Sequence, residues 1–427
     1  MAMRSEAGHA DHLRWHGLRP STWWRACLLL VMTGASMAVG GAAASPDRQA
    51  QQDVLLASLV EAGYPGARMV VVRDGQTLVD AAVGHADLAR TQPLRRDAIY
   101  RIYSMTKPVV SAAVLRFVAE GRARLDDPVS LHLPGLADLQ VMTADGHARA
   151  PLRALTLRHL LTHTTGFPVS PGPALRLREA AGLEDSPDLA GYVSRLADVP
   201  LAEDPGSRFA YDSIATEVLG RLLEVWSGQP LDVHLREAVF GPLGMTDTGF
   251  EVPPAHRDRV VALSRMVDGR LVAHDAPHAR APGTRLRAYP GAAGGLYSTA
   301  DDYLAFARML LDGGRVGTGQ WLPRALVADM LTDQLQPMGL AVPYVDDRPG
   351  QGFGLGVSVL LDPPARERTG AAGQAGWSGA ASTWFVIDPA TRSIGVLLLQ
   401  HVRNGSADDL PQVSTRFYNH VQQVISK

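Results

Sequence analysis

The chain has 427 residues, 46% of them hydrophobic and 20% charged, with a formal net charge of −2. This is an ordinary globular composition with ample core, long enough for two or three folding units. The charges form no basic block or stripe, which argues against nucleic acid as a partner.

Residues 1–44 read as a signal peptide. Arg14, Arg19 and Arg25 precede an apolar run that starts at Ala26 and continues in small and apolar residues to Val39. Ala42-Ala43-Ala44 then offers a cleavage site before Ser45. The run is short and rich in Gly and Ala for a membrane span, and the alternative to cleavage is an uncleaved N-terminal anchor. The mature chain, 45–427, is therefore expected to be exported, periplasmic or secreted, with no stable membrane insertion. Cleavage also removes Cys27, the single cysteine, and with it any disulfide or thiolate site.

The apolar spacing of Leu55, Leu56, Leu59 and Val60 predicts a helix over 51–62. Two apolar runs, 67–72 and 77–83, flank Arg73-Asp74-Gly75-Gln76, and Asp-Gly between strand-like runs predicts a hairpin. A helix follows from near Ser104, with Val109, Val110, Ala113, Val114, Phe117 and Val118 at helical spacing and Gly121 at its end. Pro108 falls in or near its first turn. Residues 156–163 read as a short helix ended by Gly166. Asp212 or Ser213 can cap a helix over 214–226, before Gly228. Ser298…Asp301 and Thr299…Asp302 both fit a capping box for a helix reaching Leu311. Strands are expected at 352–360, 383–387 and 394–400, and a last helix at about 410–425. The pattern predicts an α/β (α+β) fold. An antiparallel sheet flanked by helices is built from both chain ends (about 45–103 and 291–427), with a mostly helical insertion at about 104–290.

The stretch with chemistry is Tyr103-Ser104-Met105-Thr106-Lys107-Pro108. Of 41 Lys plus Arg, only Lys107 and Lys427 are lysines. Arg keeps its proton in a protein, whereas a Lys amine can give it up. Ser104 lies three residues before Lys107, so in a helix both side chains share a face within hydrogen-bonding range. A hydroxyl beside an amine able to take its proton is an activated nucleophile. At a helix N-terminus, a developing oxyanion would also meet free N–H groups.

Other constellations read as structural. His159 and His163 have zinc-like spacing, but residue 160 is Leu, so the base of H-E-x-x-H is missing. His274 and His278 sit in a Pro-rich segment and read as surface. Asp126-Asp127 before Pro128 reads as a turn. Gly352, Gly354 and Gly356 suggest close backbone packing. Gly376-Trp377-Ser378-Gly379-Ala380 is a turn by default, and beside a nucleophile it could offer a strand-edge N–H. There is no Walker or Rossmann fingerprint, and no metal or cofactor is expected.

Ser104-Met-Thr-Lys107, Tyr211-Asp-Ser213 and Trp377-Ser-Gly379 stand in the order S-x-x-K, Y-x-N/S, K-T-G or W-x-G. In this the chain resembles the serine β-lactamase and penicillin-binding-protein superfamily, and more closely the class C branch that includes family VIII carboxylesterases. Leu125-Asp-Asp-Pro128, residues 156–163, Pro242-Leu-Gly-Met-Thr-Asp247 and Gly294-Gly-Leu-Tyr-Ser-Thr299 fit as well. The resemblance implies a site in the cleft between a sheet domain and a helical domain. It implies Ser104 as the acylated nucleophile and Lys107 and Tyr211 as the proton-transfer pair. The N–H groups of Ser104 and Ala380 would form the oxyanion hole, with Ser213, Trp377, Ser378 and Gly379 at the substrate.

Two departures bear on the substrate. β-Lactamases and DD-peptidases usually place Lys where this chain has Trp377, and many have Asn where it has Ser213. Family VIII esterases have Trp there, usually followed by two glycines, and Ser378 replaces the first. The expected activity is hydrolysis of small-molecule carboxylic esters with small to medium acyl chains. The alternatives are a β-lactamase, D-aminopeptidase or DD-peptidase acting on amides, and a non-catalytic ligand-binding module on the same fold.

Overall fold

The computed structural model describes residues 46–274, 281–340 and 349–427. The signal-peptide reading, 1–44, lies outside these residues. The first helix, α1 (Pro46–Glu61), begins earlier than its apolar spacing indicated. Strands β1 (Gly66–Arg73) and β2 (Gln76–Gly84) follow as the expected hairpin, with Arg73 opposite Gln76. Asp74 and Gly75 have φ of 49° and 77°, the pair of positive values that a two-residue turn needs to match strand twist.

Ser104 is carried by a single 3₁₀ turn, Tyr103–Met105, and α2 (Thr106–Ala119) continues from it. All but three of the residues of α2 are buried, so this helix runs through the interior and not along a surface. The middle of the chain adds α3 (Leu157–Leu161), α4 (Leu189–Leu196) and α5 (Ile214–Ser227). Of the two candidate caps for α5 it is Asp212 that accepts the Ala215 N–H, at 2.7 Å. Gly228 closes the helix in the left-handed region. α6 (Ala300–Leu311) starts at the Thr299 cap, whose hydroxyl accepts the Asp302 N–H at 3.1 Å.

Five further strands complete the sheet: β3 (Gln351–Phe353), β4 (Ser358–Leu360), β5 (Ala375–Gly379), β6 (Thr383–Asp388) and β7 (Ser393–Leu398). They are followed by α7 (Ser414–Ile425), shorter than expected at its start. The seven strands run β3-β4-β5-β6-β7-β1-β2, every neighbour antiparallel. β1 and β7 pair centrally although more than 300 residues separate them, so both chain ends do build one sheet.

Strand alternation sends side chains to two cores. Val70, Val72, Phe385, Val396 and Leu398 face a large cluster that includes α2, α5 and α6. Met69, Val71, Trp384, Val386 and Leu397 face a smaller one with Leu56 and Leu59 of α1 and Phe417 and Val421 of α7. Each such side chain contributes on the order of 2 kcal/mol of apolar burial.

Two strand expectations change. The run 352–360 is not one strand but the β3–β4 hairpin. A Cβ on Gly354 would lie 2.1 Å from the Met330 carbonyl oxygen, and Gly356 needs φ of 91° where the chain passes Ser111. Only glycine allows that approach and that turn. Residues 376–379 are not a turn but part of strand β5, paired to β6 throughout and to β4 at Gly376. Small residues let a strand lie close to its neighbours, which the composition alone reads as a turn.

Candidate active site

The turn that carries Ser104 is held from several sides. Ile102 N–H donates to the Leu296 carbonyl at 3.1 Å, and the Tyr303 hydroxyl donates to the Met105 carbonyl at 2.9 Å. β5 comes close enough that a Cβ on Gly379 would stand 2.2 Å from the Ile102 carbonyl oxygen. Tyr103 has φ of 43°, a conformation that costs a non-glycine residue about 1 kcal/mol or more and persists only where the surroundings impose it. Ser104 thereby stands in a cavity wall ahead of a buried helix.

Lys107 is 1% exposed. Its Nζ donates to Ser104 Oγ at 3.2 Å and to the Ala293 carbonyl at 2.7 Å. It also lies over the ring of Tyr211, 5.0 Å from the centroid. The i, i+3 spacing therefore does what the sequence implied, with the lysine amine directly on the serine oxygen. Tyr211 joins differently. It meets Lys107 with its ring face, while its phenol oxygen accepts a hydrogen bond from Trp377 Nε1 at 3.3 Å. Trp377 and His163 flank the Tyr211 ring at 5.0 and 4.8 Å, and Phe353 stands edge-on to Trp377. Trp377 and His163 thus support the tyrosine.

A cavity of about 480 Å³ opens on Ser104, lined also by Ser213, Glu217, Arg287, Tyr289 and Ala380 among others. The two residues expected to supply oxyanion N–H groups, Ser104 and Ala380, share this wall, and so does Ser213. Trp377, Ser378 and Gly379 stand beside it on β5, outside the lining. His274, read from sequence as surface, also lines the cavity; its companion His278 lies outside the described residues. Two arginines of the wall are already paired: Arg285 with Asp232 at 2.8 Å, and Arg287 with Glu184.

The histidines and acids read as structural keep that reading. His159 Nδ1 accepts the Thr156 N–H at 3.1 Å in a capping box, and burial holds its imidazole down at about 4. Burial also lowers His163. Asp126 pairs with Arg158 at 2.7 Å, and Asp127 accepts the Arg124 N–H. Among the described residues no three His, Cys, Asp or Glu side chains converge as a metal cage.

Sequence reasoning missed Glu217. It is 3% exposed, and its carboxylate accepts the N–H of Ala292 at 2.8 Å and of Ala293 at 3.3 Å. Burial pushes its carboxyl up to about 7, against the lowering effect of those N–H groups and of Lys107. A signal was present: position 217 falls on the apolar stripe of Ile214, Val218 and Leu222, where an acid must find partners.

Glu217 has a consequence for stability. Its folded value of about 7 exceeds the ordinary 4.5, so between those values the folded chain binds more protons than the unfolded one. Stability therefore falls as pH rises through that window, by roughly 3 kcal/mol at most. Glu217→Gln lacks this titration. Its unfolding temperature, relative to the unsubstituted protein, should rise between pH 5 and 7.5; a constant difference would contradict the assignment.

The sequence profile of the Beta-lactamase family matches residues 48–414. Esterase EstB of Burkholderia gladioli is 36% identical over 362 residues, 80% of this chain and 86% of its own. A putative D-alanyl-D-alanine carboxypeptidase of Escherichia coli K12 is 26% identical over 411 residues, 89% of this chain and 88% of its own. Among solved structures, EstCE1, described as a hydrolase with promiscuous acyltransferase activity, superposes with a TM-score of 0.73 at 25% identity. That match covers 89% of this chain and 98% of its own. The profile spans most of the chain, and the fold, with a serine and a buried lysine in contact at its cavity, agrees with it: the chain belongs to the Beta-lactamase family and is a serine hydrolase.

Proposed function

We propose that this serine hydrolase cleaves carboxylic esters of small to medium acyl chains through an acyl-enzyme on Ser104. In the first half-reaction the Lys107 amine takes the Ser104 proton as Oγ bonds to the ester carbonyl carbon. The resulting oxyanion faces the N–H groups of Ser104 and Ala380. Collapse breaks the bond to the alcohol, which leaves with the proton taken by Lys107. Water then attacks the acyl carbon, again giving its proton to Lys107, and the acid is released as Ser104 regains its hydrogen. Tyr211, over the ammonium, helps to hold Lys107 in place.

The observation that carries the ester reading is Trp377. It occupies the position where an amide-cleaving relative would present a cation to a substrate carboxylate, and it is committed to Tyr211 by a 3.3 Å hydrogen bond. The name of EstB, a relative over most of its length, supports the same substrate class. The β-lactamase or peptidase reading has one observation in its favour, two guanidiniums in the cavity wall, but Asp232 and Glu184 already hold both.

Side-by-side hydrolysis of p-nitrophenyl butyrate and a chromogenic cephalosporin, by the protein and its Ser104→Ala variant, tests the proposal. Ester turnover that disappears in the variant, with little cephalosporin turnover, is expected. The reverse preference would move the protein to the amide side. Export is part of the same proposal and is supported by the Arg-led apolar run and Ala42-Ala43-Ala44. Protein recovered from cells expressing the full chain should begin at Ser45; an intact start would remove the cleavage, and recovery of that intact protein from the cytoplasm would remove the export reading.

A further inference from the structure

Glu217 takes no part in the acyl transfer above, yet it is a nearly inaccessible carboxylate in the wall of the nucleophile's cavity. It stands on α5, six residues beyond Tyr211. Its two oxygens accept the N–H groups of Ala292 and Ala293, and the carbonyl of Ala293 accepts Lys107 Nζ at 2.7 Å. Lys107 Nζ in turn reaches Ser104 Oγ at 3.2 Å. An unbroken line of hydrogen bonds therefore runs from Glu217 to the nucleophile.

We infer that Glu217 is a positioning residue, which fixes the 291–295 loop so that the Ala293 carbonyl holds the Lys107 amine against Ser104. The loop needs such an anchor. It contains Gly291, Gly294 and Gly295, and the N–H groups of Gly294 and Gly295 both turn back onto the Gly291 carbonyl. Those bonds shape the turn without tying it to a neighbouring element. The carboxylate supplies the tie to α5, and hydrogen bonds to a charged acceptor are roughly twice as strong as neutral ones. Gly220 of the same helix lets Ala292 settle directly on α5, where a Cβ would come within 2.5 Å of the Ala292 Cβ. One helix thus carries Tyr211 at its entrance and the anchor of the lysine's acceptor one turn inside.

The charge serves a second end. Glu217 and Lys107 hold the N–H and the carbonyl of one residue, Ala293, so where the carboxyl is ionised each offsets part of the penalty of burying the other. A neutral side chain would satisfy the core with less penalty, and a feature that opposes stability beside a reactive group is expected where function requires it.

This inference rests on the Ser104–Lys107 reading, so its test must separate the two. A fluorophosphonate probe does so, because Ser104 Oγ displaces fluoride at phosphorus and passes its proton to Lys107 whatever the natural substrate is. The unsubstituted protein should take up label at Ser104. Glu217→Gln replaces one acceptor by an N–H₂ facing an N–H, and should label about 30- to 100-fold more slowly, as expected for a displaced proton acceptor. Its kcat for p-nitrophenyl butyrate should fall in step, with KM within about twofold. Glu217→Asp, which keeps the carboxylate, should fall between the two. Equal labelling rates in the protein and Glu217→Gln, or Asp no better than Gln, would overturn the inference alone. No label on Ser104 in the unsubstituted protein would overturn the nucleophile reading, and this inference with it. If Glu217→Gln fails to fold, Glu217→Ala with added formate decides. Faster labelling with formate supports the carboxylate's role, and an unchanged rate refutes it.

Discussion

Lys107→Arg should reduce ester turnover by about a thousandfold or more while the protein stays folded. Arg keeps a positive charge at the site and cannot give up a proton there, so it tests proton transfer separately from electrostatics. The amine sits between Ser104 Oγ at 3.2 Å and the Ala293 carbonyl at 2.7 Å, in a pocket where it is 1% exposed. A planar guanidinium fits that geometry poorly and holds no lone pair for the serine proton. Loss of a positioned general base removes about 10²- to 10⁴-fold, and the misplaced serine adds to it. The measurement is kcat for p-nitrophenyl butyrate, with the near-ultraviolet dichroism spectrum as the check on folding. Turnover within tenfold of the unsubstituted protein, in a folded variant, would eliminate Lys107 as the proton acceptor.

Gly379→Ala should damage both stability and activity, from a position that the cavity does not touch. The added methyl would stand 2.2 Å from the Ile102 carbonyl oxygen and 2.4 Å from Thr383 Oγ1. The first of these atoms is backbone, two residues before Ser104, and cannot swing aside. Either β5 separates from β6 or the Tyr103–Met105 turn is pushed outward. Overpacking of this kind costs about 1–3 kcal/mol, and the displacement passes directly to Ser104. A lower unfolding temperature and a loss of about tenfold or more in kcat are expected. An unchanged unfolding temperature would show that the close approach of strand and turn is not a constraint.

Much of the site was legible because its central contact is local. Ser104 and Lys107 are three residues apart on continuous helical backbone, so their meeting follows from chain geometry. Asp74-Gly75 is another local case, since the turn that its φ values allow selects the hairpin. Capping was less complete: Thr299 and Asp212 were among the candidates, but choosing them over Ser298 and Ser213 took side-chain direction. Residues 352–360 and 376–379 were misjudged because glycine is compatible with turn, bulge and inner strand alike. The neighbour it makes room for decides, and that neighbour is distant in sequence.

By itself, then, the sequence determined the meeting of Ser104 and Lys107, the order of the three motifs and the sheet built from both chain ends. Each of these is written in spacing or in hydrophobic period. Only the tertiary structure decided what surrounds the pair. It brought Trp377 to the phenol oxygen of Tyr211 across 166 residues, and the Ala293 carbonyl to Lys107 across 186. It also turned a charge on the apolar face of α5 into the anchor of that carbonyl. Such contacts have no local signature, because a buried polar group requires only some partner, and which partner it meets is set by how the helices and the sheet pack.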